Sequence, residues 1–304
     1  MKIAFAGTPN VAARVLERLV LKHEVVAVIT RPDAPVGRKR VLSQSAVAEA
    51  AQQHDLKTLK TNHIDASLAK SLKELGAELV IVVAYGRLVP HAALDVLPWW
   101  NLHFSLLPHW RGAAPVQHSI LNGAHQGVSI FQLDAGMDTG PLIGSLPHVI
   151  SPDTTAGEAM LDMASRGSNL LLELLESPPQ PQPQVGEGSL APKISRDEAR
   201  LDFSNLASAV ARKIMAFNPE PMAWTELNGD SFRVLRAKSL GEIDWSHHED
   251  QVLTAGEVEV TTGRVLVACG EGTRLELIEV QPAGKKPMLA TDWARGLSGS
   301  VIFE

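Results

Sequence analysis

Met1-Lys2-Ile3-Ala4-Phe5-Ala6-Gly7-Thr8-Pro9 opens the chain. A short apolar run closed by Gly and Pro reads as a buried strand running into a turn, and not as a secretion signal. Helical spacing follows over 11–20. A second apolar run, Val25-Val26-Ala27-Val28-Ile29, comes next, and helical spacing returns over 45–54 and 66–75. Leu79-Val80-Ile81-Val82-Val83-Ala84 is the third apolar run. Strands apolar on both faces that alternate with helices predict a Rossmann-like α/β fold, a doubly wound and mainly parallel sheet. Ligands of such sheets gather at the carboxyl ends of the strands. Gly7-Thr8-Pro9 is not the Gly-x-Gly-x-x-Gly turn of dinucleotide sites, so no nicotinamide cofactor is expected.

Asn101-Leu102-His103-Phe104-Ser105-Leu106-Leu107-Pro108 follows a further strand pattern and precedes Arg111-Gly112-Ala113-Ala114-Pro115. Side chains alternate along a strand, so Asn101, His103 and Ser105 are expected on one face at its end. A lone histidine there is usually an ordinary satisfied polar residue. Together with a carboxamide it fits attack on a carbonyl: the amide donates to a developing oxyanion and the imidazole carries protons. Later, after the strand-like Val128-Ser129-Ile130-Phe131-Gln132-Leu133, comes Gly136-Met137-Asp138-Thr139-Gly140. The glycines permit a tight turn and close backbone approach, and Asp138 either caps that turn or orients His103.

Pro115 suits the first turn of a helix ending near Gly123. A long helix over 155–176 runs into Ser177-Pro178-Pro179-Gln180-Pro181-Gln182-Pro183-Gln184, where alternating prolines predict extended chain, a linker or an exposed excursion. Beyond it a helix over 206–216 precedes short strands over 232–237, 256–260, 264–268 and 274–280. Turn signals at Asn228-Gly229-Asp230 and Thr262-Gly263 separate them, and a small β-barrel is expected.

With 304 residues, 45% of them hydrophobic, the chain can bury a substantial core, in two domains by expectation. Lys and Arg total 28 against 34 Asp and Glu, a net charge of −6, which disfavours bulk nucleic-acid binding but leaves room for a local basic face. The single cysteine, Cys269, forms no internal disulfide and sits in an apolar setting. No Cys/His spacing suits zinc, so no metal is expected. No apolar run approaches the roughly 20 residues of a bilayer span, so a cytoplasmic protein without membrane association is expected.

Asn101-x-His103-x-Ser105-Leu106-Leu107-Pro108, Trp110-Arg111-Gly112-Ala113-Ala114-Pro115 and the Asp138 loop together resemble the folate-dependent formyltransferases, and among them those that formylate initiator methionyl-tRNA. Gly7-Thr8-Pro9, Val83-Ala84-Tyr85-Gly86, Ala191-Pro192-Lys193, Ala216-Phe217-Asn218-Pro219 and Gln281-Pro282-Ala283-Gly284-Lys285-Lys286 extend the resemblance over nearly the whole chain. Phe104 stands where the family often has a small residue, and Asn10-Val11 where it often has an acid and Phe. The resemblance implies transfer of the formyl group of 10-formyltetrahydrofolate to the α-amine of methionyl initiator tRNA. Asn101 would bind the formyl oxygen, His103 would stabilise the oxyanion and shuttle protons, and Asp138 would hold His103. Ser105, Leu106, Leu107 and Pro108 would contact the folate, with Val83, Ala84, Tyr85 and Gly86 lining the pterin pocket through backbone groups. The barrel would be OB-like and bind tRNA.

The implied domains are 1–189 catalytic, 190–205 connecting and 206–304 tRNA-binding, in a protein expected to be monomeric. The run Arg31-Pro32-Asp33-Ala34-Pro35-Val36-Gly37-Arg38-Lys39-Arg40 lies near the expected active-site edge of the sheet, where phosphate contacts are plausible. Arg38 matches the family's key basic position, and Lys39, Arg40, Lys193, Arg212 and Lys213 are further candidates. Lys285 and Lys286 fit either phosphate or a plain turn. Competing functions are formylation of another amine, such as an amino sugar or glycinamide ribotide, hydrolysis of formyl-tetrahydrofolate, and noncatalytic RNA binding. The complete Asn101, His103 and Asp138 set disfavours the last.

Overall fold

A computed structural model describes residues 1–37, 40–240 and 253–304. They form two compact units. Met1–Pro115, Ala124–Val149 and Met160–Pro192 make the first, and Val116–Gly123, Ile150–Ala159 and Lys193–Glu304 the second.

Along the chain run β1 (Lys2–Gly7), α1 (Asn10–Leu19), β2 (Glu24–Thr30), β3 (Ala34–Val36), β4 (Val41–Ser43), α2 (Ala46–Gln53), β5 (Thr58–Lys60), α3 (Ala66–Glu74), β6 (Leu79–Val83) and α4 (His91–Leu94). Then come β7 (Trp99–His103), β8 (Arg111–Gly112), α5 (Pro115–Asn122), β9 (Gly127–Gln132), β10 (Leu142–Pro147), α6 (Ala156–Glu176) and β11 (Leu190–Ala191). The expected helices are present to within a residue, and capping marks the starts of α2, α3 and α6. The Ser45 hydroxyl accepts from the Ala48 amide at 3.0 Å, and the Asp65 carboxylate from the Leu68 amide at 2.8 Å. Thr155 and Glu158 close a reciprocal capping box at the start of α6.

The main sheet of the first unit has the order β10-β9-β7-β6-β1-β2-β5. The strands from β5 to β7 are parallel, while β9 and β10 run antiparallel at one edge. The chain steps outward from β1 through β2 to β5 and then crosses back to β6 on the other side of β1, so the strand order reverses beside the carboxyl ends of β1 and β6. Phe5, Ile81 and Leu102 are fully enclosed or nearly so. Each such side chain contributes roughly 1.5–3 kcal/mol on leaving water. Helix α6 approaches β7 closely because Gly167 has no Cβ, which would stand 2.7 Å from the Leu102 side chain. The Pro-rich segment is an excursion whose backbone is tied to the sheet edge at Gln182, which exchanges hydrogen bonds of 2.7 and 2.8 Å with Leu142.

The second unit contains α7 (Ala207–Phe217), β12 (Trp224–Leu227), β13 (Asp230–Leu240), β14 (Glu257–Thr261), β15 (Arg264–Ala268), β16 (Arg274–Gln281), β17 (Met288–Leu289), α8 (Ala290–Ala294) and β18 (Val301–Ile302). An antiparallel sheet of order β12-β13-β16-β15-β14-β18, with β17 beside β16, curls into a nearly closed barrel. Alternate residues of its strands fill the interior, Phe232, Val234, Val265, Val267, Leu275 and Leu277 among them. The Phe232 ring lies 4.8 Å from Trp293 and 4.9 Å from Phe303. Burial in this unit pushes the Cys269 thiol up to about 12, so it is a packing group and not a reactive one.

Candidate active site

Strand β7 delivers two polar side chains on one face at its carboxyl end. Asn101 pairs in register with Val82 of β6 and Phe131 of β9, and His103 with Ser129 of β9. Asn101 is half-buried, and among the described residues its carboxamide has no recorded hydrogen-bond partner. His103 is buried, with the Phe131 ring edge-on at 6.3 Å. Its Nε2 lies 2.9 Å from the carbonyl oxygen of Trp110. A carbonyl only accepts, so Nε2 carries the hydrogen, and the lone pair of the neutral ring is on Nδ1. Nδ1 faces Asp138 Oδ2 at 3.7 Å, an electrostatic approach longer than a hydrogen bond.

The strand ends at His103, and this changes the place expected for Ser105. Ser105 is past the strand end and wholly buried. Its hydroxyl donates to the His109 carbonyl at 2.7 Å, and its own carbonyl accepts from the Ser129 hydroxyl at 2.7 Å. It therefore braces the loop instead of standing beside Asn101 and His103 as a free hydroxyl. Leu106 is half-buried, whereas Leu107 and Pro108 are buried, and the Leu107 amide donates to Ser129 at 3.0 Å. Val83 closes β6 inside the core, and Tyr85 points inward with its hydroxyl on the Thr61 carbonyl at 2.6 Å. Ala84 and Gly86 are the exposed members of that turn, both at positive φ, 46° and 78°.

Asp138 is held in the left-handed region, φ 53°, which Asp tolerates better than most residues. The Gly112 amide donates to its Oδ2 at 2.8 Å. Gly140 has to be glycine, because a Cβ there would collide with the Gln132 carbonyl oxygen. Two residues that sequence reading passed over complete the corner. Gln184 Nε2 donates to the carbonyls of Asp138 and Gly140, each at 2.8 Å, while its Oε1 accepts from Arg111 Nη2 at 2.6 Å and Nε at 3.2 Å. The Ser189 hydroxyl accepts from the Trp110 amide at 3.0 Å, and the Ser189 carbonyl accepts from the Arg111 amide at 2.8 Å, which fixes the peptide whose carbonyl receives His103.

Burial is the largest influence on His103 and lowers its pKa below the usual 6.5; the Asp138 carboxylate and the Trp110 carbonyl act in the opposite sense. At neutral pH the imidazole is uncharged, able to take up a proton at Nδ1 and to be stabilised by Asp138 once it has done so. Among the described residues no three His, Cys, Asp or Glu side chains gather as metal ligands, and no helix is long and apolar enough to cross a membrane.

Of the basic candidates, Arg38 and Lys39 lie outside the described residues. Arg40 is exposed, at φ 48° between β3 and β4. In the second unit Lys193 and Arg212 are exposed. Lys213 is half-buried and donates to the Arg200 carbonyl at 2.7 Å; burial lowers its pKa, against the pull of Asp202 and Glu198. Arg212 and Lys213 line a cavity of about 260 Å³ with Asp202 and Asn205.

Residues 1–175 match the formyl transferase family and residues 193–298 the formyl transferase C-terminal domain. A methionyl-tRNA formyltransferase of Paenarthrobacter aurescens is 43% identical over 314 residues, covering 100% of both chains. The chain belongs to the methionyl-tRNA formyltransferase family. Another member, from Acidothermus cellulolyticus, is 45% identical over 328 residues, again covering 100% of both chains. The solved methionyl-tRNA formyltransferase of Clostridium thermocellum superposes with a TM-score of 0.59 at 17% identity, over 78% of this chain and 93% of that one. An N-formyltransferase from Helicobacter canadensis, solved with folinic acid and dTDP-3-aminofucose, gives 0.64 at 18% identity over 93% and 99%. Those two likenesses are of fold.

Proposed function

We propose that this chain, as a methionyl-tRNA formyltransferase, takes the formyl group from N10 of 10-formyltetrahydrofolate and places it on the α-amine of methionyl initiator tRNA, with Asn101, His103 and Asp138 as the catalytic residues. The observation that carries the catalytic assignment is the neutral, buried His103 with Nε2 tied to Trp110 and Nδ1 turned to Asp138. The neutral amine attacks the formyl carbon, forming a C–N bond and a tetrahedral oxyanion. Asn101 donates to that oxygen. His103 Nδ1 accepts the proton the amine loses, and Asp138 stabilises the imidazolium. The proton then passes to N10 as the C–N10 bond breaks, so no electrons are exchanged with any outside group. One oxyanion donor is typically worth about 3–4 kcal/mol, and acid–base help adds about 10²–10⁴ in rate.

Folate is read as the formyl donor, seated against the 105–108 segment and the exposed backbone of Ala84 and Gly86. No metal or nicotinamide takes part in this reading, and the protein works in the cytoplasm as a monomer. The domain division follows the same reading, with 1–189 catalytic and 206–304, the OB-like barrel, contacting tRNA. Arg38, Lys39, Arg40, Lys193 and Arg212 are the proposed tRNA contacts. Lys213 is the weakest of the set, because its amine is already engaged. The deciding assay is formyl transfer from 10-formyltetrahydrofolate with charged initiator tRNA, an amino sugar, or no acceptor, side by side. Transfer to tRNA alone supports the reading; preference for the sugar, or release of formate without acceptor, sinks it. Exhaustive chelation leaves the rate unchanged, and loss restored by one specific metal would overturn the metal-free step.

A further inference from the structure

We propose that Gln184 is a positioning residue for the formyl-transfer reaction, the buckle of a strap that holds Asp138 against His103. The strap is the chain from Gln182 to Ala191, which leaves the sheet edge and crosses the walls of the corner. Gln182 is anchored to Leu142 by a pair of backbone bonds, and Leu190 and Ala191 pair in parallel with Arg111 and Gly112. Between these anchors Gln184 is half-buried in a run of otherwise exposed residues from Pro181 to Gly188. Its amide nitrogen spends both hydrogens on one loop, the carbonyls of Asp138 and Gly140, at 2.8 Å each. Its oxygen is fixed by two nitrogens of Arg111, so the amide orientation is unambiguous: only the oxygen can face a guanidinium, and only the nitrogen can face carbonyls.

A surface glutamine with four good partners is costly to immobilise, because side-chain ordering opposes it. Its four contacts converge on the two segments that build the corner. Arg111 is on the segment that carries the Trp110 carbonyl and the Gly112 amide, which touch His103 and Asp138 respectively. Asp138 is the charged group facing His103, and its main chain is strained at positive φ, so its carboxylate direction depends on what holds that turn. Displacement of a reacting group by about 1 Å costs up to about 10² in rate.

This inference rests on His103 and Asp138 being the catalytic pair, and the test separates the two. Gln184→Met keeps the side chain's length and neutrality but neither donates nor accepts these bonds. We expect kcat to fall about 10-fold or more with little change in KM for the folate donor. The acid limb of the His103 titration, followed by NMR of the imidazole, moves to lower pH, because a displaced Asp138 no longer supports the protonated ring. The double variant Gln184→Met/Asp138→Asn is expected within about twofold of Asp138→Asn alone, since the strap acts through Asp138. Arg111→Met, which frees the other end of the amide, gives a smaller loss of the same kind and serves if Gln184→Met folds poorly. An unmoved acid limb, or losses at Gln184 and Asp138 that multiply, overturns the strap. Normal turnover in either Asp138→Asn or His103→Ala removes the catalytic pair itself. Impairment in those two with normal Gln184→Met removes only the strap.

Discussion

The corner around His103 and the hairpin of β3 and β4 are built in opposite ways. In the corner, buried and half-buried groups from four segments are locked by hydrogen bonds that span up to 79 residues of sequence, as between Trp110 and Ser189. In the hairpin, five of the six paired residues stand in solvent, and even Val36, Val41 and Leu42 are more than half exposed. Just before it, Asp33 pairs with Lys60 at 2.6 Å and Arg31 donates to Asn62 at 3.2 Å. A pair as exposed as the first is worth about 0–1 kcal/mol. The difference fits two tasks. Chemistry on a formyl carbon needs groups fixed before the reaction, whereas a polyanion needs charge that reaches into water.

The sharpest way to break that contrast is to remove the fixed groups. His103→Ala and Asp138→Asn are each expected to lower turnover at least about 10²-fold with the fold retained, and Asn101→Ala by about 10²-fold. Single-turnover measurement on variants of normal circular dichroism decides it; near-normal chemistry in His103→Ala or Asp138→Asn ends the assignment. Next comes the backbone that aims them. Gly140→Ala forces a Cβ into the Gln132 carbonyl, so the turn must shift, at a cost of about 1–3 kcal/mol. Thermal melting reads that loss, and turnover falls further than stability alone explains. A variant as stable and as active as the wild type would show that the close approach at Gly140 is unimportant.

The pH dependence sharpens the corner from another side. Burial holds the His103 pKa below the usual 6.5, so the His103 limb lies lower, and it is read by NMR titration of the imidazole because the reacting α-amine adds its own acid limb to kcat/KM. The sign for stability follows. A histidine whose folded pKa is depressed contributes its stability fully above the unfolded value near 6.5, and that contribution is lost as the pH falls through the folded pKa. Asp138→Asn removes the carboxylate that raises the value and moves the limb further down. A limb at or above 6.5 in the wild type contradicts a desolvated imidazole.

Much of the sheet is legible in the sequence because apolar strands and amphipathic helices have different periods. Asn101 and His103 are legible for the same reason, being two apart on one strand. Ser105 is not: period-two reasoning holds only while the strand lasts, and β7 stops at His103. Asp138 is marked by its flanking glycines. Gln184 and Ser189 carry no local signal at all. Their partners lie 44 to 79 residues away, and nothing in a Pro/Gln-rich run says which glutamine will meet them. Antiparallel β9 and β10 are hidden likewise, since an apolar run does not declare its direction.

The smallest effect belongs to the hairpin side of the comparison. Arg38, Lys39 and Arg40 form a basic triplet between β3 and β4, in a chain whose net charge is −6, so local charge has to do the attracting. An arginine meets phosphate with two donors and releases counterions as it does so. Arg38→Ala is therefore expected to lower kcat/KM for charged tRNA and to reduce the salt slope by about 1, while the affinity of a folate analogue stays within about twofold. The measurement is kcat/KM for methionyl-tRNA at two salt concentrations beside analogue binding. If Arg38→Ala weakens folate as much as tRNA, the hairpin is a cover for the folate. If it spares both, the basic run has no part in binding, and the contrast between a fixed corner and a reaching hairpin loses its functional meaning.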